Sequence, residues 1–156
     1  QYYNLSHLKL LLLYQFKDSI MQQYFIRQYN MNVLDWTEAF LNFNNSVSQN
    51  KEIKFNYPGF YVSHEGHYID KVKEVLNDLN CNIAHLYFNI STKAETFGKH
   101  NDTMDVYFWQ CQGATKWVVE DDEVILNPGD LIYIPKGVYH NVIPLSPRLG
   151  VSMSNE

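Results

Sequence analysis

The chain is poor in cysteine, in basic residues and in long apolar runs. Its two cysteines, Cys81 and Cys111, are too few for a disulfide framework, so free thiols in a reducing compartment are expected. Lys and Arg number 12 against 17 Asp and Glu, and the resulting net charge of −5 argues against broad binding to nucleic-acid phosphates. The apolar run Leu10 to Tyr14 is far shorter than the ~20 residues of a membrane span. No secretion signal is evident, so a cytoplasmic protein without nucleic-acid or membrane partners is predicted.

Hydrophobic and aromatic residues are plentiful by comparison. Hydrophobic residues make up 46% of the chain and charged residues 19%, which is an ordinary balance for a globular protein. A length of 156 residues allows a real core, so residues 1–156 are predicted to form a single domain. Aromatic residues reach 15%, with twelve Tyr, and such large side chains suit a packed β-barrel or an oligomer interface.

Residues 1–81 are predicted to be mostly helical and to pack on a barrel. The predicted helices cover Leu5–Gln28, Trp36–Asn44 and Ile69–Leu79. The first is apolar around much of its circumference, which favours packing on the barrel and a homodimer. Asp35 and Glu38 have the spacing of a capping box, which predicts the start of the second helix.

Residues 82–156 have the two-residue period of β-strands. Strands are predicted near Ile83–Ile90, Met104–Cys111, Thr115–Glu120, Glu123–Leu126, Asp130–Ile134, His140–Ile143 and Leu149–Ser154. Turn signals such as Asn127-Pro128-Gly129 separate them at short intervals. So many short strands predict a mainly β sandwich or barrel with helices before it.

Three side chains form a candidate metal site. His100 and Asp102 are two apart at the mouth of a strand, so they point the same way. Residues 103–139 hold enough strands to wind round and bring His140 beside them. Two neutral imidazoles and one carboxylate, with other positions open, suit non-haem Fe(II) that also binds a co-substrate and O2.

The residues leading to His140 are similar to a known family. Gly129, Pro135, Gly137 and His140 fit the second cupin motif, G-x5-P-x-G-x2-H. Asp102 stands where the first motif of ordinary cupins has its second histidine, and this departure resembles the JmjC-type branch of the 2-oxoglutarate oxygenases. The resemblance covers about Ala84 to Ser154. It implies a double-stranded β-helix (a jelly-roll, cupin-like barrel) and an oxygenase that uses Fe(II) and 2-oxoglutarate.

The resemblance also suggests where 2-oxoglutarate would bind. In JmjC-type enzymes a Lys or Arg two positions before a strand Trp usually pairs with the distal carboxylate, but here that position is Thr115. Lys116 is one residue along, so it is expected to point out of the pocket unless a bulge turns it. Both residues are kept as candidates for cofactor binding.

The last predicted strand offers a different anchor. Arg148 and Ser152 share one face of it, and other branches of these oxygenases use an Arg and a Ser on this strand. They are the preferred anchor, against the alternative that Arg148 is simply exposed to solvent. Gln110 has the same parity as Asp102 and is a candidate contact for the metal-chelating end of 2-oxoglutarate. The alternative for Gln110 is a core amide bonded to backbone.

The sequence is compatible with three functions, and no catalytic residue beyond the metal ligands is predicted. The preferred one is a 2-oxoglutarate- and Fe(II)-dependent hydroxylase or demethylase whose substrate is a protein side chain or a small molecule. Thr115 favours a metal-binding cupin without 2-oxoglutarate, a small-molecule dioxygenase or isomerase. The third is a non-enzymatic barrel that binds a small ligand or a protein.

Overall fold

Two antiparallel sheets and two helices form the described part of the chain. The computed structural model describes residues 24–48, 54–57 and 59–156. Its helices are α1 (Trp36–Ser48) and α2 (Asp70–Leu79), with a 3-10 turn at Gly66–Tyr68 before α2. Its strands are β1 (Phe25–Ile26), β2 (Lys54–Tyr57), β3 (Phe60–Ser63), β4 (Ile83–Asn89), β5 (Val106–Gln112), β6 (Thr115–Val119), β7 (Asp122–Leu126), β8 (Leu131–Ile134), β9 (His140–Pro144) and β10 (Arg148–Ser154).

The strands divide into a large and a small sheet that face each other. The large sheet has the order β1-β8-β5-β10-β4-β3-β2, and the small one has the order β7-β6-β9. One buried cluster joins them, with Phe108, Ile132 and Ile134 from the large sheet and Trp117, Val119 and Leu126 from the small sheet. This is the predicted double-stranded β-helix, and the predicted fold class is confirmed.

The other face of the large sheet is covered by the helices. The side chains of β10 alternate between the two faces of the large sheet, so this strand contributes to the packing on both sides. Leu149, Val151 and Met153 join the cluster that includes the helix residues. Arg148 and Ser152 lie on the opposite face and line the interior cavity.

The helix starts follow local sequence signals. The Asp35 side chain accepts a hydrogen bond from the Glu38 backbone N–H at 2.8 Å, and Glu38 accepts one from the Asp35 N–H at 2.9 Å. The predicted capping box is therefore present, and α1 runs to Ser48 rather than ending at Asn44. Helix α2 begins at Asp70 and buries Val72, Val75, Leu76 and Leu79 against the sheet, as its period predicts.

The prediction of a helix over Leu5–Gln28 is wrong at its end. Phe25 and Ile26 form strand β1, which pairs with Ile132 and Leu131 of β8. Pairing with an exposed sheet edge outweighed the helical pattern here, which is a tertiary effect that local propensity does not contain. The remainder of that predicted helix, residues 5–23, lies outside the described residues.

No helix among the described residues is long and apolar enough to cross a membrane. The single domain over residues 1–156 stays a prediction.

Candidate metal centre

Backbone pairing brings the two histidines together. His140 opens β9, and His100 lies on the segment before β5. The His100 N–H donates to the His140 carbonyl at 3.0 Å, and the His140 N–H donates to the His100 carbonyl at 2.8 Å. The Gly137 N–H donates to the Asp102 carbonyl at 2.8 Å, which ties the third residue to the turn before β9. The main chain therefore fixes all three positions.

The three side chains converge on one point. His100 Nε2 lies 3.8 Å from Asp102 Oδ1, and His140 Nε2 lies 3.4 Å from Asp102 Oδ2. One ligand atom from each residue lies within 4.8 Å of the other two, and the described residues contain this one group of three metal-ligating side chains. Metal bonds to imidazole or carboxylate are about 2.0–2.2 Å long, so atoms at these separations can share one ion.

Hydrogen bonds select the metal-binding form of both imidazoles. His100 Nδ1 lies 2.8 Å from the Gly98 carbonyl, and His140 Nδ1 lies 3.0 Å from the Val138 carbonyl. A carbonyl oxygen can only accept, so each Nδ1 carries the proton and donates it. Each Nε2, which lies near the Asp102 carboxylate, is then left with a free lone pair. This is the outer support that metal-ligating histidines usually have.

His140 is favoured in its neutral form. Its side chain is 4% exposed, and burial lowers its pKa below the usual value. The bond to Val138 and the Asp102 carboxylate act in the opposite direction, while neighbouring His100 lowers the pKa further. The Trp117 ring stacks on the imidazole with centroids 5.7 Å apart. A neutral, sterically fixed imidazole is the state that binds a metal ion.

The triad opens into a cavity of about 460 Å³. Its apolar wall includes Phe60, Phe97, Phe108, Trp117 and Val142. Its polar wall includes His85, Tyr87, Arg148 and Ser152 beside the triad. A cavity with mostly apolar walls and a few convergent polar groups is typical of a small-molecule site.

Arg148 is the buried charge in this cavity. Its side chain is 2% exposed, and the guanidinium lies over the Phe60 and Phe108 rings at 5.6 Å from each centroid. Nε donates to Asn89 Oδ1 at 2.6 Å, but buried Nη1 has no hydrogen-bond partner among the described residues. Burial lowers the pKa of Arg148 to about 10, so the group stays charged at neutral pH. A buried cation with an unused donor suits an incoming anion.

Comparison with known proteins agrees with this geometry. Residues 85–148 match the family described as the Cupin domain. This part of the barrel is similar to cupin domains. The predicted resemblance to cupins is confirmed, and no curated protein matches the chain.

Two solved structures resemble this barrel in fold. YcfD, a ribosomal oxygenase from Escherichia coli in complex with cobalt and 2-oxoglutarate, matches with a TM-score of 0.55 and 19% identity over 62% of this chain. The match covers only 31% of YcfD. KdgF from Halomonas sp. matches with a TM-score of 0.52 and 19% identity, over 69% of this chain and 91% of that one. At such identities the likeness concerns the fold.

Ser152 lies beside Arg148 on the cavity face of β10, as the strand parity predicts. Ser152 also lies close enough to Tyr87 to affect the pKa of its hydroxyl. Burial raises the pKa of Tyr87, and Asp102 raises it further, whereas neighbouring Ser152 and the charge of Arg148 lower it. The Tyr87 hydroxyl is therefore within electrostatic reach of both the triad and Arg148.

The other predicted cofactor residues lie elsewhere in the barrel. Gln110 is fully buried, donates to the Gln112 and Gly113 carbonyls at 3.0 Å each, and is not part of the cavity wall. Thr115 is also buried and donates to Gln110 Oε1 at 3.1 Å. Both belong to a core network, so the prediction that they contact a cofactor is not supported by their positions.

Lys116 points away from the cavity. It is half-buried, and its Nζ lies 4.0 Å from Glu123 of β7, whereas its neighbours Thr115 and Trp117 are buried. This is the outward direction that strand alternation predicts for it. The prediction that Lys116 binds a cofactor is not supported by its position.

Asn89 and Phe60 lie around Arg148, and neither residue is predicted from the sequence to belong to the site. Both are fully buried, and they lie directly opposite each other on β4 and β3. A polar residue at the end of an apolar strand is a common pattern, so the sequence held no specific signal for Asn89. The pairing of β4 with β10, which the sequence does not reveal, places it opposite Arg148.

Proposed function

We propose that this protein is an Fe(II)- and 2-oxoglutarate-dependent oxygenase built on a cupin domain. The observation that carries the proposal is one cavity that contains both a His-Asp-His triad and a buried, partly unsatisfied arginine. A metal alone would need only the triad. A 2-oxo acid with a second carboxylate needs a cation in the same cavity as well.

His100, Asp102 and His140 would hold the metal. Two imidazole nitrogens and one carboxylate oxygen, with open positions facing a cavity, are the donor set typical of non-haem Fe(II) oxygenases. That YcfD was crystallised with cobalt and 2-oxoglutarate is consistent with this choice. Iron itself is part of the proposal, because the same donors accept other divalent ions.

Arg148 would bind the distal carboxylate of 2-oxoglutarate. A carboxylate taken out of water needs charged or multiple hydrogen-bond partners, and guanidinium to carboxylate bonds are among the strongest available. Ser152 and the Tyr87 hydroxyl supply neutral polar groups on the adjoining wall. Phe60 and Phe108 cover the faces of the guanidinium, which limits access of water to it.

The chemistry comes from the cofactors, and the chain provides orientation and exclusion of water. Fe(II), 2-oxoglutarate and O2 together supply an oxidant that removes hydrogen from a substrate, with release of succinate and CO2. The protein would hold the two cofactors in a fixed relation through the triad and Arg148. Its aromatic walls would shield the reaction from solvent.

A metal-binding cupin without 2-oxoglutarate is the second candidate. It is favoured by Thr115, which occupies the usual basic position and is committed to Gln110 and Trp117. The match to KdgF, which covers 91% of that chain, also favours a small cupin. In this case Arg148 would bind a carboxylate of the substrate. A non-enzymatic barrel is less favoured, because it gives no reason for the convergent triad.

Anaerobic titration with Fe(II), followed by an assay for succinate formed from 2-oxoglutarate in air, separates the three candidates. The proposed oxygenase takes up one iron and forms succinate. Metal uptake without 2-oxoglutarate binding would indicate the simpler cupin, and no metal uptake would indicate the binding module.

Location and partners belong to the proposal as well. Cys81 and Cys111 are free thiols, which supports a cytoplasmic location. Two further points stay predictions. They are the homodimer and a substrate that is either a protein side chain or a small molecule.

A further inference from the structure

Three residues form a row across neighbouring strands beside the cavity. Phe60 of β3 is directly opposite Asn89 of β4, and Asn89 is directly opposite Arg148 of β10. Directly opposite residues of antiparallel strands share a face, so all three point to the barrel interior. Asn89 is fully buried between an aromatic ring and a guanidinium.

Both the oxygen and the nitrogen of the Asn89 side-chain amide form hydrogen bonds. Its Oδ1 accepts from Arg148 Nε at 2.6 Å, and its Nδ2 donates to the Ala94 carbonyl at 3.4 Å. The orientation of the amide is fixed by its partners, because Nε can only donate and a carbonyl can only accept. An aspartate could accept from Arg148 but could not donate to Ala94, and an apolar residue could do neither.

The neutrality of Asn89 determines what Arg148 can bind. No ion pair to Arg148 exists among the described residues, and Nη1 has no partner there. Asn89 therefore fixes the guanidinium through Nε without cancelling its charge. A carboxylate at position 89 would form a buried ion pair with Arg148 and remove the positive charge that an incoming anion needs.

We infer that Asn89 is a positioning residue that makes the cavity selective for a ligand with a distal carboxylate. It orients Arg148 with Nη1 free and leaves its charge for that carboxylate. This inference rests on the proposed function, in which the ligand is 2-oxoglutarate.

The test compares two ligands that differ only at the distal group. 2-Oxopentanoate keeps the 2-oxo acid end and the chain length of 2-oxoglutarate but has a methyl in place of the distal carboxylate. Calorimetry on the anaerobic Fe(II)-loaded protein gives the dissociation constant of each. The wild type should prefer 2-oxoglutarate on the order of 100-fold, as expected for a buried charge-paired contact. Asn89→Asp should reduce this preference to nearly none while Fe(II) affinity is kept.

The ratio separates positioning from a structural role. A variant that only loosens the barrel weakens the binding of both ligands alike and leaves the ratio of their dissociation constants unchanged. Asn77→Asp is the matched control, because it adds the same charge on the exposed face of α2 and should preserve both dissociation constants.

A second variant covers the case in which Asn89→Asp does not fold. Asn89→Ala removes the acceptor for Nε without adding a charge. It should weaken 2-oxoglutarate by about tenfold, which corresponds to the loss of one hydrogen bond to a charged group. The same variant should weaken the binding of 2-oxopentanoate by a smaller factor.

Each outcome has a definite meaning. If the wild type prefers 2-oxoglutarate and the folded variants keep that preference, the role of Asn89 is wrong and the proposed function stands. If the wild type binds metal but does not prefer 2-oxoglutarate, the proposed function is wrong and the role of Asn89 fails with it.

Discussion

At the scale of single residues, the candidate centre depends on side chains whose directions the strands fix. His100 and Asp102 are two apart, and the period of an extended segment placed them on one side, as the sequence predicts. The same parity predicted Arg148 and Ser152 inside the barrel and Lys116 outside. Gln110 also lies on the interior face that parity predicts, but parity does not say which partners its amide will find. The Gln110 amide donates hydrogen bonds to the Gln112 and Gly113 carbonyls and so belongs to the core.

The first prediction concerns the metal ligands. His100→Ala and Asp102→Ala should each abolish retention of Fe(II), because two remaining donors do not complete the site. The fold should survive, since these half-buried side chains lie outside the apolar core clusters. Iron content after desalting and circular dichroism measure the two effects. Asn101→Ala, an exposed change on the same segment, is the control and should keep its iron. Stoichiometric iron in both ligand variants would count against the site.

The second prediction concerns Arg148. Arg148→Ala should weaken 2-oxoglutarate binding on the order of 100-fold and leave Fe(II) affinity nearly unchanged, because it removes a buried charge but no metal ligand. Lys116→Ala removes a cation of the outer surface and should change neither constant. Calorimetry on the anaerobic iron form measures both. Unaltered 2-oxoglutarate binding in Arg148→Ala, with a loss in Lys116→Ala, would reverse the assignment.

At the scale of helices and strands, prediction succeeded for elements that begin at a local turn or cap signal. It failed for the strand that depends on pairing at a sheet edge. The Pro-Gly turn before β8 and the capping box of α1 are local signals, and both elements begin where those signals place them. Strand β1 has no such local signal, since it exists only because the edge of β8 is available to Phe25 and Ile26. Asn89 was missed for the same reason, because its role follows from the pairing of β4 with β10.

The third prediction concerns the turn that leads into β8. Asp130 is buried, and its two carboxylate oxygens accept from the Gln28 and Asn127 backbone N–H groups at 2.8 Å each. Asp130→Ala leaves both donors without that partner and should lower the free energy of unfolding by about 2 kcal/mol or more. Urea denaturation measures it. Asp121→Ala, in an exposed turn, should change stability by less than about 0.5 kcal/mol. Equal effects in the two variants would show that the buried carboxylate is not structural.

At the scale of the whole molecule, the barrel was more predictable than its internal arrangement. Short strands at close intervals and the motif around His140 predicted a double-stranded β-helix, because both features are local in sequence. The strand order and the burial of Arg148 between Phe60 and Phe108 arise from contacts between distant segments. Such contacts leave no periodic trace in one sequence.

The fourth prediction links the metal to global stability. An ion that binds only the folded chain stabilises it by mass action, by about 2.7 kcal/mol at a free concentration 100 times the dissociation constant. Fe(II) should therefore raise the melting temperature of the wild type under anaerobic conditions. Asp102→Ala should show no such rise. An equal rise in both proteins would place the stabilising ion elsewhere.

The joint binding of Fe(II) and 2-oxoglutarate tests most directly whether the triad and Arg148 form one site. Anaerobic equilibrium dialysis should give one iron and one 2-oxoglutarate per chain in the wild type, iron alone in Arg148→Ala, and no iron in Asp102→Ala. Admission of air to the wild-type complex should then yield succinate. A wild type that retains iron but never binds 2-oxoglutarate would contradict the claim that the triad and Arg148 serve one oxygenase site.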